Sequence, residues 1–262
     1  MADTQAASLS YTKHGTVAWV RLCRPETGNC LTPAMDEELA AFCTSAEEDE
    51  KVSLIVLTGS AEVFCRGLDY VTEGGTPVAQ ALRAQFDALH SPKALAAITK
   101  PTLAVINGDA LGVGLEMALA CDLRISTMGA HFGFPQIADG LMPFGGGTQR
   151  LPRIVGQAKA LELVLTGELI DAAEAQRIGL VSEVILESTF APRVDEILQG
   201  LLGKGPIALR LGKEAVHKAM DLTLDQGMRL EEDLYALLQT THDRAEGVQA
   251  FLEKRKPTFT GQ

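Results

Sequence analysis

The sequence has few basic residues and no long apolar run. It contains 23 Lys and Arg against 34 Asp and Glu, a formal net charge of −11 at pH 7. Nucleic acids and anionic membranes are bound through basic faces, so this balance argues against both partners. No apolar stretch approaches the roughly 20 residues that cross a bilayer, and the first residues lack the pattern of a signal peptide. We therefore expect a cytoplasmic protein.

Cysteine is scarce and unpaired. The five cysteines are an odd number, and none of them forms a CxxC pair. This pattern is typical of free thiols in a reducing compartment. His, Cys, Asp and Glu also form no group with the spacing of metal ligands, so the sequence predicts no metal site.

Hydrophobic residues make up 46% of the chain, enough for a sizeable core. Segments 15–22, 52–59 and 100–108 are predicted strands, and the last two are almost wholly apolar, which is typical of strands covered on both faces. Thr32 and Pro33 are the expected cap and first residue of a helix. A further amphipathic helix is marked by Leu82, Phe86 and Leu89. Short strands alternating with helices predict an α/β fold.

From about residue 205 the pattern is helical only. These helices carry more apolar surface than a small appendage buries alone, which suggests that they pack against another subunit.

Two loops are candidates for binding a developing negative charge. In "FCRGLD" (64–69), Gly67 permits a tight turn that frees the N–H of Leu68. In "NGDALGVGLEM" (107–117), a buried strand ends and a helix begins near Gly112 and Val113, and the first N–H groups of a helix lack internal partners. Two converging N–H groups form an oxyanion hole. The structural alternative is that both loops are simply close turns.

Glu116 lies one helical turn after Gly112, within the otherwise apolar "LEMALAC". A carboxyl group flanked by apolar surface has a raised proton affinity and can act as an acid or base.

These segments, together with "FGFPQIADGLMPFGGGTQRLPRIVG", "LTGELIDAAEAQRIGLVSEV" and the tail "AEGVQAFLEKRKPTF", resemble the crotonase (enoyl-CoA hydratase/isomerase) superfamily. The resemblance spans nearly the whole chain in the family's order. It implies a spiral core of ββα units over residues 1–200 and a C-terminal α-helical trimerisation region over 201–262. It also implies a homotrimer or a dimer of trimers, and an acyl-CoA thioester substrate with no separate cofactor.

The resemblance also assigns roles to individual residues. The oxyanion donors are the backbone N–H groups of Leu68 and Val113, on loops shaped by Gly67 and Gly112. Asp69 matches the family's motif as a loop-shaping residue. Candidate contacts to CoA, each with ordinary surface charge or packing as the alternative, are Arg24, the Cys30 backbone, Lys254, Lys256 and Phe259.

The hydratases of this family use two glutamates. The first corresponds to Glu116, whereas Gln136 occupies the position of the second, and an amide cannot exchange a proton at neutral pH. Asp139 stands near it and is either a relocated acid or a turn residue. Phe144 replaces a glycine and is expected to narrow the acyl pocket.

Three functions follow. The first is an enoyl-CoA hydratase or hydratase/isomerase with Glu116 as acid/base. The second is another enolate reaction, such as isomerisation, decarboxylation or C–C hydrolysis, which needs no second glutamate. The third is an acyl-CoA-binding homologue that has lost activity.

Overall fold

The computed structural model of the chain describes residues 8–69 and 89–262. Two compact units are present, one formed by the chain up to residue 98 and by 102–190, the other by 99–101 and 191–262. The predicted division after residue 200 was meant to separate a catalytic part from an oligomerisation part. That functional division stays a prediction, and the first compact unit ends at Phe190.

A six-stranded sheet forms one layer of the first unit, in the order β1-β2-β3-β5-β7-β10. β1 and β2 pair antiparallel, and all the other neighbours are parallel. The strands are Leu9–His14 (β1), Val17–Leu22 (β2), Leu54–Thr58 (β3), Thr102–Ile106 (β5), Leu123–Thr127 (β7) and Glu183–Ile185 (β10).

A four-stranded sheet has the order β4-β6-β8-β9, parallel except for the last pair. Its strands are Val63–Cys65 (β4), Asp109–Leu111 (β6), His131–Gly133 (β8) and Ile170–Asp171 (β9). Successive strand pairs β3/β4, β5/β6 and β7/β8 each place one strand in the large sheet and the next in the small sheet. This repetition is the spiral of ββα units that was predicted.

The apolar composition of the central strands explains their position. Every residue of β3 and β5 is buried, as expected for strands covered on both faces. β1 lies at the edge of its sheet, and all its residues after Leu9 are exposed. Three phenylalanines on and beside the small sheet are fully buried in the core: Phe64, Phe132 and Phe134.

Six helices belong to the described part of the first unit: Pro33–Glu48 (α1), Ser91–Ala97 (α2), Val113–Ala120 (α3), Gly147–Val155 (α4), Gln157–Thr166 (α5) and Ala172–Arg177 (α6). The start of α1 is as predicted, with Pro33 first and the Thr32 side chain accepting from the Met35 N–H at 3.2 Å. Of the helix predicted from Leu82, Phe86 and Leu89, the first two residues lie outside the described part of the chain.

The second unit is built from helices: Phe190–Leu202 (α7, which begins at the last residue of the first unit), Pro206–Lys218 (α8), Leu224–Gln239 (α9) and His242–Leu252 (α10). Thr223 and Gln226 form a complete capping box at the start of α9. The predicted α/β fold with helices at its C-terminal end is confirmed. No helix in the described part of the chain is long and apolar enough to span a bilayer.

A buried carboxylate joins α2 to α1. Asp36 on α1 accepts hydrogen bonds from the N–H groups of His90 and Ser91 and from the Ser91 hydroxyl. Asp36 and Ser91 are both buried. Because buried donors need acceptors inside the protein, this carboxylate fixes the position at which α2 begins.

We expect Asp36→Ala to lower the free energy of unfolding by about 2 kcal/mol, since it leaves three donors without their acceptor. Urea denaturation followed by circular dichroism measures the change. Glu37→Ala, one residue further along the same helix and exposed, is the control and should change stability by less than about 0.5 kcal/mol. Equal effects of the two substitutions would contradict the assignment.

Candidate active site

Three parallel strands of the small sheet lead into one region. The chain continues from β4 into residues 66–69, from β6 into Gly112, and from β8 into the turn Pro135–Asp139. Carboxyl ends of neighbouring parallel strands lie at one edge of a sheet, so these segments are brought together. The same edge therefore collects residues that are distant in the sequence.

The three segments meet around Gly112. A Cβ at Gly112 would lie 3.6 Å from the Cα of Gly67 and 3.3 Å from Oε1 of Gln136. Gly112 also has a φ of +53° and Gly67 a φ of +132°, conformations that favour glycine. The Gly112 N–H donates to the Gly133 carbonyl at 3.0 Å, which ties the end of β6 to the end of β8.

The N–H of Leu68 is directed away from the neighbouring segment at Leu31. Leu31 donates to the Gly67 carbonyl at 2.9 Å, and Asp69 donates to the Leu31 carbonyl at 3.0 Å. These two bonds make a parallel bridge between Leu31 and Leu68. In such a bridge the residue between the bonded positions points its own N–H to the opposite side. Within residues 8–69 and 89–262 the Leu68 N–H has no acceptor.

Val113 is the first residue of α3, so its N–H has no acceptor within the helix. The helix dipole makes this end positive. The other end of α3 is held by Arg124, whose Nη1 donates to the carbonyl of Cys121 at 2.6 Å and to that of Ala118 at 3.3 Å. Leu68 and Val113 thus lie on adjoining loops, and neither N–H group has an acceptor among residues 8–69 and 89–262.

Glu116 is buried within α3, and every residue of that helix is buried. Its Oε1 accepts a hydrogen bond from the N–H of Gly147 at 2.8 Å. The N–H groups of Gly145 and Phe144 also bond to this carboxyl group. The carboxylate is therefore held by backbone donors of residues 144–147, which we call the glycine loop.

Burial raises the pKa of Glu116 to about 7, while the hydrogen bonds from the glycine loop and the charge of Arg150 act in the opposite direction. A carboxyl group with a pKa near neutrality both accepts and donates a proton readily at physiological pH. The raised proton affinity predicted for Glu116 is present in the structure.

Gln136 lies in the turn after β8, next to Gly112. Its Oε1 is buried and has no hydrogen-bond partner among the described residues. Buried polar atoms of native proteins are normally paired, so an unpaired amide oxygen beside the two candidate oxyanion loops is a place where a ligand donor would bind. The expectation that Gln136 lines a site stays a prediction.

Asp139 and Phe144 occupy different surroundings. Asp139 ends the turn that contains Gln136, and its side chain is exposed. Phe144 is half-buried, and its N–H bonds to Glu116. A relocated acid at Asp139 and a narrowed acyl pocket at Phe144 stay predictions.

Arg24 connects the loop after β2 with the candidate oxyanion loop. Its Nη2 lies 3.0 Å from Oδ2 of Asp69, and its Nη1 donates to the Cys30 carbonyl at 3.1 Å. Arg24 therefore links Asp69 to the loop after β2, and the loop-shaping role of Asp69 stays a prediction. The expected contacts of Arg24 and Cys30 with CoA stay predictions.

The remaining candidates lie in the second unit. Lys254 and Lys256 are exposed, and the ring of Phe259 packs beside Gly205 and Gly247. Their approach to a nucleotide from an adjacent subunit stays a prediction.

Two structural features of this site had not been assigned from the sequence. Asn29 is buried, and its side chain binds the Arg24 N–H and the Val63 carbonyl, which joins the loop after β2 to β4. The glycine loop supplies the donors for Glu116. A signal for it was present, since a carboxylate inside an apolar helix requires donors, and a run of glycines lets backbone N–H groups approach closely.

The described residues contain no group of three or more His, Cys, Asp or Glu that could hold a metal ion. All five cysteines are free thiols, as expected.

Comparisons with known proteins find relatives that match nearly the whole chain. The family model described as "Enoyl-CoA hydratase/isomerase" matches residues 12–262. Crotonyl-CoA hydratase of Syntrophomonas wolfei is 38% identical over 94% of this chain and 95% of that protein. The 2,3-dehydroadipyl-CoA hydratase of Escherichia coli K12 is 36% identical over 98% of this chain and 100% of its own. A crystal structure of enoyl-CoA hydratase from Bacillus anthracis superposes with a TM-score of 0.93 at 36% identity, covering 98% of this chain and 100% of that one.

The fold and the relatives together define an acyl-CoA enzyme with the crotonase fold. The chain belongs to the enoyl-CoA hydratase/isomerase family.

The close approach of α3 to β4 leads to a prediction. A Cβ at Gly114 would overlap the carbonyl oxygen of Cys65 and lie 2.7 Å from the Cys65 Cβ. Gly114→Ala must therefore push α3 away from β4, and we expect a loss of about 1–3 kcal/mol in the free energy of unfolding. Gly200→Ala, in helix α7 with open space around it, is the control and should be neutral or stabilising. Urea unfolding of both variants measures this, and an unaffected Gly114→Ala would show that the helix is free to shift.

Proposed function

We propose that this enzyme binds an acyl-CoA thioester, stabilises its enolate with the N–H groups of Leu68 and Val113, and uses Glu116 as its acid/base. The main observation in support is the buried Glu116 carboxyl group, with a pKa of about 7, one turn from the free N–H at the start of α3. An oxyanion donor of this kind is typically worth about 3–4 kcal/mol of transition-state stabilisation. CoA is part of the substrate, and no separate cofactor takes part.

The relatives that are named as hydratases make hydration of a 2-enoyl-CoA the first candidate reaction. Water adds its oxygen to C3 of the acyl chain, and a proton is added to C2. Two proton transfers are needed, one to the substrate and one from the water. Glu116 can carry only one of them at a time, and Gln136 can bind a water molecule but cannot take its proton.

The neutral Gln136 favours a second candidate, allylic isomerisation of a 3-enoyl-CoA. Glu116 takes a proton from C2, and the negative charge moves to the thioester oxygen, where the Leu68 and Val113 N–H groups bind it. The same carboxyl group then returns the proton to C4, while the double bond moves to C2–C3. This reaction needs a single proton carrier.

The two reactions are distinguished by assaying wild type, Gln136→Glu and Glu116→Gln with crotonyl-CoA and with a 3-enoyl-CoA. We expect slow hydration by the wild type and an increase of up to about 10²-fold in Gln136→Glu, because a second acid/base is restored. Glu116→Gln should lower both activities by about 10²–10⁴-fold. Loss of enoyl absorbance measures hydration, and its appearance measures isomerisation.

Asp139→Asn is the matched test of a relocated acid. If wild type already hydrates as fast as Gln136→Glu and Asp139→Asn abolishes that rate, Asp139 has replaced the missing glutamate. If all variants bind CoA but convert neither substrate, both candidate reactions are wrong. Failure to bind CoA would contradict the proposed substrate class.

We also propose that the chain assembles as a homotrimer or a dimer of trimers. Large apolar side chains on the helices of the second unit are exposed, including Leu224 at 80% and Phe251 at 82%. Such side chains on a soluble protein commonly mark an interaction surface. The cytoplasmic location expected from the composition likewise stays a prediction.

Light scattering of the purified protein should give three or six times the 27.9 kDa mass of one chain. Leu224→Lys combined with Phe251→Lys should reduce this mass, because it places charges on the apolar surface. Lys204→Glu together with Lys218→Glu is a charge-changing control on exposed residues of the same unit. A stable wild-type monomer would contradict the proposed assembly.

A further inference from the structure

The glycine loop that holds Glu116 is itself held by Arg150. This side chain projects from the first turn of α4, and its Nη1 donates to the Gly145 carbonyl at 2.8 Å. Its Nη2 lies 3.5 Å from the carbonyl of Pro92, on α2. The guanidinium covers Gly146 so closely that a Cβ there would overlap Nη1. Arg150 therefore binds the loop through its Gly145 carbonyl and links it to α2.

The loop has no room to adapt on the side of Glu116. A Cβ at Gly145 would lie 3.0 Å from Oε2 of Glu116, and a Cβ at Gly147 would lie 3.0 Å from Oε1. The backbone is thus packed directly against the carboxylate. Small movements of Gly145 would change the direction of the hydrogen bonds that Glu116 receives.

Among the described residues, Arg150 is also a charged side chain that acts on Glu116 through space. The two groups influence each other's pKa in opposite directions: the positive charge lowers that of Glu116, and the carboxylate raises that of Arg150, against the stronger effect of burial in each case. A half-buried guanidinium bound to two carbonyls keeps its charge.

Other titratable groups lie on the described elements packed against α3. His90 just before α2, Lys93 on α2 and Arg153 on α4 are exposed. The carboxylate of Asp109 on β6 pairs with Arg66 and His131. Two thiols also lie on these elements, those of Cys65 on β4 and Cys121 after α3.

We propose that Arg150 is a positioning residue for Glu116: it fixes the Gly145 carbonyl so that the N–H groups of the glycine loop stay directed at the carboxylate, and it supplies the positive charge that acts on that carboxylate. Any effect of Arg150 on catalysis rests on the proposed function of Glu116 as acid/base. The positioning of Glu116 by Arg150 is independent of that function, because it concerns the protonation of Glu116 in the protein without substrate.

The first test measures the protonation of Glu116 in the absence of substrate. The carboxylic-acid band of Glu116 is titrated by infrared spectroscopy and assigned by its loss in Glu116→Gln. Wild type should titrate near pH 7. In Arg150→Met, both the loop support and the positive charge are lost, so the midpoint should rise by about one pH unit, a tenfold change in the protonation equilibrium. An unchanged midpoint in a folded Arg150→Met would overturn the proposal.

Two further variants complete the test. Arg153→Met removes an exposed arginine of the same helix and should leave the midpoint unchanged. Arg150→Lys keeps a charge but cannot hold the two carbonyls with one planar group, so its midpoint should lie between those of wild type and Arg150→Met. If Arg150→Met does not fold, Arg150→Lys decides, and a wild-type midpoint in that variant would refute the positioning role.

The second test uses activity. The limb of the kcat/KM profile that reports Glu116 should move to higher pH in Arg150→Met by the same amount as the infrared midpoint, whichever protonation form is active. A simple loss of stability would lower the rate at all pH values without moving the limb. If wild type converts no enoyl-CoA, the proposed function fails, while the infrared titration still decides the role of Arg150.

Discussion

A carboxylate inside an apolar helix must find its hydrogen-bond donors elsewhere in the protein, and Glu116 finds them in the glycine loop. Much of the surrounding arrangement follows from this requirement. The loop needs glycines because its backbone packs directly against the carboxylate oxygens. Arg150 binds the Gly145 carbonyl of the same loop. Glu116, the glycine loop and Arg150 thus connect α3, α4 and α2.

The candidate oxyanion hole depends on a second constraint, the direction of backbone N–H groups. Within the described part of the chain, the Leu68 N–H has no acceptor because the neighbouring polar groups bridge to Leu31. The Val113 N–H has no acceptor within α3 because Val113 begins that helix. Neither N–H depends on the identity of its own side chain. This explains why residues as ordinary as Leu and Val occupy positions at which a charge is expected to develop.

The neutral amide of Gln136 can form hydrogen bonds but cannot transfer a proton. Its oxygen lies beside Gly112, unpaired among the described residues, so it can orient a donor on a ligand. An amide cannot take up or release a proton at neutral pH. Under the proposed function, the same loops would serve several reactions that pass through an enolate, and the group at position 136 bears directly on which of them is efficient.

The sequence by itself determined the α/β class, the strands β2, β3 and β5, the start of α1 and the family, because each of these depends on local patterns: apolar runs, caps and glycines at turns. It also singled out Gly67, Gly112, Glu116 and Gln136. Only the tertiary structure decided three sets of contacts. They are the hydrogen-bond donors to Glu116, the ion pair of Arg24 with Asp69, and the hydrogen bonds of the Asn29 side chain. These contacts join segments far apart in the chain, and local propensity carries no information about which distant backbone group will lie within hydrogen-bonding distance.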